Sequence, residues 1–552
     1  MTMRGSTIRR AARGACVAAA LLSAGWPLRA AGAAPAVVFE IDAAKTHAIS
    51  PYVYGTNSAN WQGNSKYLTL TRWGGNRITA YNWVTNASNA GSDWNHQNDN
   101  GLSPTDEPGE PVRRLVAAAH AAGASAIITV PILGYVAADK KGGGDVNQTP
   151  NYLKTRFLPS LPQKKGPLAL RPDLRDGKVY QDEFVHWLEA SFPESRKDPT
   201  RTIFYTLDNE PDLWSFTHAR IHPEKVRYDE IVKLNIAYAQ AIKRVAPRAL
   251  VFGPVNYGWQ GFVNLQDAPD AGGRDFLEFY LAAMQEAEQK AHRRLLDVLD
   301  LHWYPEARGG DVRISEDDAR PAVAAARVQA PRSLWDPKYV ETSWITGNLK
   351  GAAIRLLPRV QEKIDANYPG TRVAITEYYY GGGGDISGGL AQADVLGIFG
   401  REGVFAATLW HMGKTDDRFI YAAFAMFRNY DGRGAAFGAT GLAAKTSDVA
   451  STSVYASLNA KKQLVLVAIN KSSSPVPATI QLKDGRRATI ASAYQLTAAG
   501  AQPVKAVPRA KTATGPLSYV LPAQSVSTLV LALPAARPAA EKKVKPEDAD
   551  AE

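Results

Sequence analysis

Residues 202–214 read TIFYTLDNEPDLW. A run of β-branched, aromatic and aliphatic residues describes a buried strand, and it stops at once on Asp208, Asn209 and Glu210. Polar groups set directly after an apolar strand are poor choices for a core and good ones for a site. The same pattern recurs outward in both directions. Strands are expected around 52–57, 68–74, 126–132, 202–209, 249–256, 298–304, 372–378 and 404–411. Amphipathic helical patterns fall between them at 111–122, 180–195, 228–245, 275–292, 352–366 and 394–401. Eight alternating units predict an α/β fold, a (β/α)8 TIM barrel over residues 51–430, with its site at the C-terminal ends of the strands.

Beyond the barrel the pattern changes. SVYASL, QLVLVAIN, ATIQL, ATIASAYQL and STLVLAL, between residues 452 and 533, are short strands separated by Gly, Pro, Ser and Lys turns. They predict a C-terminal all-β sandwich domain over 431–534. VVFEID at 37–42, within the segment 34–50, is expected to add a strand to that sandwich. The charged tail, 535–552, is expected to be disordered.

The chain has 552 residues, 45% hydrophobic and 21% charged, which is ordinary globular usage with room for more than one domain. General disorder, a collagenous fibre and a disulfide scaffold are excluded. The net charge is +11, but Arg4, Arg9, Arg10, Arg13 and Arg29 all precede residue 34, where no acid stands. The remaining 59 basic residues face 53 acidic ones, an excess too thin to indicate nucleic acid or an anionic membrane surface as partner. The basic start, the apolar run 15–22 and the small residues of LRAAGAAP read as a signal peptide over 1–33. Cleavage there predicts a secreted protein, periplasmic or extracellular. The single cysteine, Cys16, lies inside that segment, so no disulfide or thiol nucleophile is expected in the mature chain. No later run reaches the ~20 apolar residues of a membrane span. A monomer is expected.

The strand ends carry the chemistry. They read TRWGGN (71–76), DNEP (208–211), DLHWYP (300–305), ITEYYYG (375–381) and TLWH (408–411). Two carry a glutamate, Glu210 on the fourth strand and Glu377 on the seventh. Paired carboxylates across a cleft are what glycoside hydrolysis requires: one protonates the leaving oxygen, the other attacks the sugar carbon or activates water. The acid needs burial or a neighbouring negative charge, and its partner needs donors such as Arg72 or the Tyr304 hydroxyl. Tryptophans, among them Trp61, Trp73, Trp83, Trp94, Trp214, Trp259, Trp303, Trp335, Trp344 and Trp410, fall in loops or strand ends, where an indole face can stack on a pyranose. The long loops 75–110, 133–178 and 305–350 read as walls of a groove or a pocket. His218 and His222 have the spacing of two metal ligands on one helix face, or else shape the loop after Glu210. DWNHQNDNG (93–101) and the GGGGD turn (381–385) offer oxygen ligands for calcium without matching an EF-hand.

Together, YGTN, TRWGGNRITAYNWVTNASNAGSDWNHQ, LDNEPDLWSFTHARIHPE, LDLHWYPE, AITEYYYG and TLWH resemble glycoside hydrolase family 44, over about residues 37–533. The resemblance implies a clan A barrel and a retaining endo-β-1,4-glucanase, a cellulase whose partner is a β-glucan polysaccharide: cellulose-type glucan, xyloglucan or both. It implies no required cofactor; relatives sometimes carry a structural calcium, for which the sequence assigns no position. Carried over by motif, Glu210 is the acid/base and Glu377 the nucleophile, ~5–5.5 Å apart in a retaining enzyme. Asn209 matches the residue that binds the sugar 2-hydroxyl. Arg72, Tyr304 and Trp410 match the clan's supports for nucleophile and sugar. Trp73, His302 and Trp214, in the same motifs, complete the expected substrate-binding set. Tyr378, Tyr379 and Tyr380 followed by GGGGD depart from the pattern as a bulky, then flexible loop. A same-clan xylanase or mannanase and a non-catalytic carbohydrate-binding barrel are the alternative readings.

Overall fold

Eight parallel strands close into a barrel in the computed structural model, which describes residues 36–412, 416–507 and 517–533. The strands are Gly55–Asn57, Leu70–Trp73, Ser125–Val130, Ile203–Leu207, Val251–Asn256, Val298–Trp303, Arg372–Tyr378 and Ala406–Leu409, one for each expected run. The expected signal peptide and tail lie outside the described residues. No helix among the described residues is long and apolar enough to cross a membrane.

The barrel interior is layered. Its lower end is plugged by Leu70, Ile127, Phe204, Phe252 and Val298, with Tyr52 and Phe405 closing over the Phe204 ring at 5.0 and 5.8 Å. Above the plug the inward positions turn polar: Arg72, Thr206, Asp300 and Thr376 are all fully buried. The Thr376 hydroxyl donates to Asp300 Oδ1 at 2.7 Å, and that of Thr206 to Oδ2 at 3.3 Å. Strand alternation continues this inward series on the sixth strand through Val298, Asp300 and His302. On the seventh strand alternation breaks. Leu301 pairs with Ile375 but His302 with Glu377, so Thr376 is one residue too many. This β-bulge lets Thr376 and Glu377 both face the axis, which regular alternation forbids.

The second part is a sheet of nine strands, a β-sandwich around its own core of Phe39, Ile41, Leu464, Leu466, Ala468 and Leu529. The N-terminal strand Val37–Ala48 joins it as expected, antiparallel to Thr440–Thr446 and parallel to Val476–Leu482. Within the expected 431–534, the strands start at Thr440, ahead of the first one read from the sequence. Leu464–Asn470 is buried at every position. Leu464, Leu466 and Ala468 fill the sandwich, whereas Val465, Val467 and Ile469 pack into the barrel's hydrophobic cluster. Helix Ile386–Arg401 lies between the two parts and is buried from Ile386 to Gly400. Gly397 in that helix leaves room for the Tyr455 ring; a Cβ there would sit 2.2 Å from Cδ2.

The loop after the seventh strand is packed rather than flexible. Tyr378, Tyr379 and Tyr380 are buried. Gly382 lies on the guanidinium of buried Arg327, which donates to the carbonyls of Ile314, Tyr380, Glu316 and Asp318. Residues with side chains would collide at Gly381 and Gly383, where a Cβ would come within 2.1 Å of the Ile314 carbonyl and 2.3 Å of the Asp416 carbonyl. The glycines serve close packing.

Candidate active site

Glu210 and Glu377 meet at the upper end of the barrel. One oxygen of each, with one ring nitrogen of His302, lie within 4.8 Å of one another. Glu210 sits just past the fourth strand in a left-handed conformation, φ 44°, two residues after Asp208 at φ 68°. Neither is glycine, so this is a constrained backbone, held by surrounding bonds. The buried Asp208 carboxylate accepts from the Ile132 and Asn209 amides at 2.6 and 2.9 Å, and the Glu210 amide donates to the Val255 carbonyl at 3.0 Å.

The two carboxylates have different neighbours. Arg72 Nη1 donates to Glu377 Oε1 and the Tyr304 hydroxyl to Oε2, each at 2.7 Å. Among the described residues no Lys or Arg pairs with Glu210, whose Oε1 lies 2.8 Å from His302 Nδ1. That same nitrogen is 3.5 Å from Glu377 Oε2, so one imidazole atom faces both acids. Burial, then the charges of Glu377 and Asp212, push the Glu210 carboxyl well above the usual carboxylic range. Burial raises Glu377 too, opposed by the Arg72 charge and by hydrogen bonds from Tyr304 and Arg72. Burial and Arg72 push His302 well below the usual imidazole range, leaving it neutral. A proton is therefore held more tightly on Glu210 than on Glu377.

Arg72 organises a second line of contacts. Its Nη2 donates to Asn209 Oδ1 at 2.8 Å and its Nη1 to Asn57 Oδ1 at 3.2 Å. Gly74 lies so close that a Cβ would fall 2.3 Å from the guanidinium carbon, which explains the Gly in RWGGN. Asn209 Nδ2 donates to Asn76 Oδ1 at 3.0 Å. Half-buried Trp410 lies over Gly75, whose φ of +88° and lack of a Cβ accept the indole; a Cβ would be 2.6 Å from Cη2.

Arg72, Asn209, Tyr304 and Trp410 are thus brought together with both glutamates. Three other expected residues are not placed to touch a sugar. Trp73 follows inward-facing Arg72 on its strand, so it points outward, packing edge-on to Tyr81 at 5.7 Å within the core cluster. Trp214 is fully buried beside the His222 ring at 5.7 Å. His302 is fully buried beneath the carboxylates and contacts them instead. Sequence reading also missed Asn57, the last residue of the first strand. Its Nδ2 donates to the Thr376 and Leu409 carbonyls at 3.0 and 3.1 Å, tying the first strand to the seventh and eighth.

The metal-ligand readings fare differently. His218 spends its nitrogens on Thr217 Oγ1 and the Asn76 carbonyl, each at 3.0 Å, and His222 on the Glu224 carbonyl and Glu230 at 2.7 and 2.8 Å. They are not a ligand pair; His218, neutral with its pKa lowered to about 4 by burial, fastens the 75–110 loop to the segment after Glu210. Of the acids in the loops considered for calcium, Asp99 pairs with Arg77 and Ser88, and Asp385 caps a helix through the Ser387 amide. Among the described residues, the one cluster with ligand-like spacing is Glu210, His302 and Glu377, and the Arg72 cation already occupies Glu377.

Comparison with known proteins agrees with this geometry. The model of glycoside hydrolase family 44 matches residues 87–307. Endoglucanase A of Paenibacillus lautus is 40% identical over 533 residues, covering 92% of this chain and 74% of its own. A Paenibacillus polymyxa xyloglucanase of the same family, solved with xyloglucan, is 39% identical with a TM-score of 0.84, covering 90% of this chain and 99% of that one. Cel44A, a family 44 endoglucanase from Clostridium thermocellum, is 38% identical with a TM-score of 0.85, over 90% and 100% of the two chains.

Proposed function

Since the chain belongs to glycoside hydrolase family 44, we propose that it is a secreted, retaining endo-β-1,4-glucanase acting on cellulose-type glucans and xyloglucan. The observation that carries this reading is the unequal carboxylate pair. One oxygen of Glu210 lies within 4.8 Å of one of Glu377, a closeness in keeping with the ~5–5.5 Å pair of a retaining enzyme.

In the first step the charged Glu377 attacks the anomeric carbon. The bond to the leaving glycosyl oxygen breaks, and Glu210 delivers its proton to that oxygen. Glu377 is then an ester and its charge is gone. The repulsion that raised Glu210 falls away with it, so Glu210 is left as a carboxylate able to take a proton from water. Water attacks the anomeric carbon, the ester bond breaks, and Glu210 is reprotonated as Glu377 regains its charge. Arg72 and Tyr304 hold the Glu377 oxygens for in-line attack. Asn209, fixed by Arg72 and Asn76, offers an amide proton to the 2-hydroxyl, and Trp410 a floor for the ring. The endoglucanase and xyloglucanase activities of the relatives support the choice of glucan, and the composition of residues 1–33 supports secretion.

Hydrolysis of carboxymethyl cellulose and xyloglucan, followed by viscosity and reducing ends together, tests the proposal. A rapid fall in viscosity with few new ends, lost in Glu377→Ala, is expected. A folded wild type that leaves both polymers intact while cleaving xylan or mannan would overturn the substrate.

A further inference from the structure

The use of Asn209 to a sugar depends on which way round its amide lies. Arg72 has only protons to give, and so has the Gly75 amide; both point at Asn209 Oδ1, at 2.8 and 3.3 Å. The nitrogen is thereby turned to the other side, where it carries two protons. One goes to Asn76 Oδ1 at 3.0 Å. The planar amide then sets the direction of the second, the proton left for the 2-hydroxyl. Asn76 is therefore the reference against which Asn209 is aimed.

Asn76 has the same ambiguity. Reversed end for end, its amide would set nitrogen against nitrogen, donor against donor. Asp93 decides the matter. A carboxylate only accepts, and its two oxygens lie 3.2 and 3.1 Å from Asn76 Nδ2. The polarity then runs unbroken from Asp93 through Asn76 and Asn209 to Arg72, which also donates to Glu377. The turn that carries Asp93, Gly91–Trp94, packs on Asn76–Thr79 and on Trp214–Thr217. Its start is pinned: the Gly91 amide donates to Asn89 Oδ1 at 2.8 Å, and a Cβ on Gly91 would lie 1.9 Å from the Thr217 carbonyl oxygen. His218 holds the Asn76 backbone, its Nε2 lying 3.0 Å from the carbonyl. The Arg77 charge acts on Asp93 but is itself paired with Asp99.

Resting on the hydrolase reading above, we propose that Asp93 is a positioning residue for that reaction: by fixing the polarity of Asn76, it aims the free Asn209 proton at the 2-hydroxyl of the sugar being transferred. Asp93 acts through two amides and not on the sugar itself. Its charge has a second effect, raising the pKa of both Glu210 and Glu377. The two effects part in substitution, because an amide at this position keeps an acceptor oxygen and loses the charge.

Asp93→Ala and Asp93→Asn test this. Both remove the charge, so both are expected to move the two limbs of the pH–rate profile to lower pH. Rates are then compared on the plateau of each profile. The substrates are a nitrophenyl cellobioside and its analogue lacking the 2-hydroxyl on the ring next to the nitrophenol. Asp93→Ala is expected to lose about three- to tenfold in kcat/KM on the first, the worth of one hydrogen bond, and nothing on the second. Asp93→Asn is expected to keep most of the activity on both. In an Asn209→Ala background, Asp93→Ala is expected to add no further loss, because the two residues act as a unit. Equal losses on the two substrates, additive losses with Asn209→Ala, or an Asp93→Ala variant as fast as wild type would each overturn the proposal while leaving the hydrolase reading intact. A folded wild type that cleaves neither these substrates nor any β-glucan would overturn the hydrolase reading, and the proposal with it.

Discussion

Arg72 and Tyr304 make two buried glutamates unlike. Both donate to Glu377 and neither to Glu210, so the charge has one stable position. Tyr304→Phe removes a hydrogen bond to a charged group, worth about 1.5–3 kcal/mol, so turnover on glucan is expected to fall about 10- to 100-fold. Because that bond lowers the Glu377 pKa, its loss raises it, and the acidic limb of the pH–rate profile moves to higher pH. Glu210→Gln is expected to cost about 10²–10⁴ on glucan, less on a substrate with an activated leaving group, and to abolish the basic limb. Steady-state kinetics across pH checks both. At this scale the sequence was informative where chemistry coincides with a strand end: Glu210, Glu377, Arg72 and Tyr304 all follow or close an apolar run. It misled where only geometry decides. Trp73 and Trp214 share motifs with residues that meet at the carboxylate pair, but alternation turns one outward and chain packing buries the other. His302 faces inward one layer too deep to meet a sugar.

Helix Ile386–Arg401 and the strand Leu464–Asn470 join barrel to sandwich. Both are covered on every side, one between barrel and sheet, the other between two cores. Across this boundary Lys471 Nζ meets Asp394 Oδ2 at 2.7 Å, with both side chains almost wholly buried, and the Tyr455 hydroxyl donates to Oδ1 at 2.6 Å. Lys471→Ala strands a buried carboxylate and is expected to destabilise by about 3–5 kcal/mol, in a single unfolding transition of barrel and sandwich together. Two separate transitions in calorimetry would contradict the joint packing. Truncation before residue 452 is expected to yield insoluble protein for the same reason. Continuous apolar runs made these elements easy to find in sequence, yet the same feature hid what they cover. The helix Arg418–Arg428 was not among the expected ones, and the bulge at Thr376 left no mark in the residue pattern, since its cause is pairing with the neighbouring strand.

The whole molecule stores several carboxyls where they prefer a proton. Burial raises Asp208 to about 6, and Asp212 and Asp300 to about 7, from an ordinary 3.8. Between those limits the folded chain binds more protons at these sites than the unfolded chain, so ΔG of unfolding decreases with pH there. Their stabilising contribution is complete below pH ~4 and is lost as pH rises through about 6 to 7. Asp300→Asn is expected to flatten this slope, measured as denaturant midpoints between pH 4 and 8. An unchanged slope would remove Asp300 from the balance.

The retaining mechanism makes one species that no other reading makes, a sugar bonded to Glu377. Incubation with a 2-deoxy-2-fluoro cellobioside carrying a good leaving group slows release of that sugar enough for intact mass and peptide mapping. The expected result is a mass gain of one fluorocellobiosyl group per chain, mapped to Glu377 and absent in Glu377→Ala. A label on any other residue, or turnover with inversion and no adduct, would contradict it.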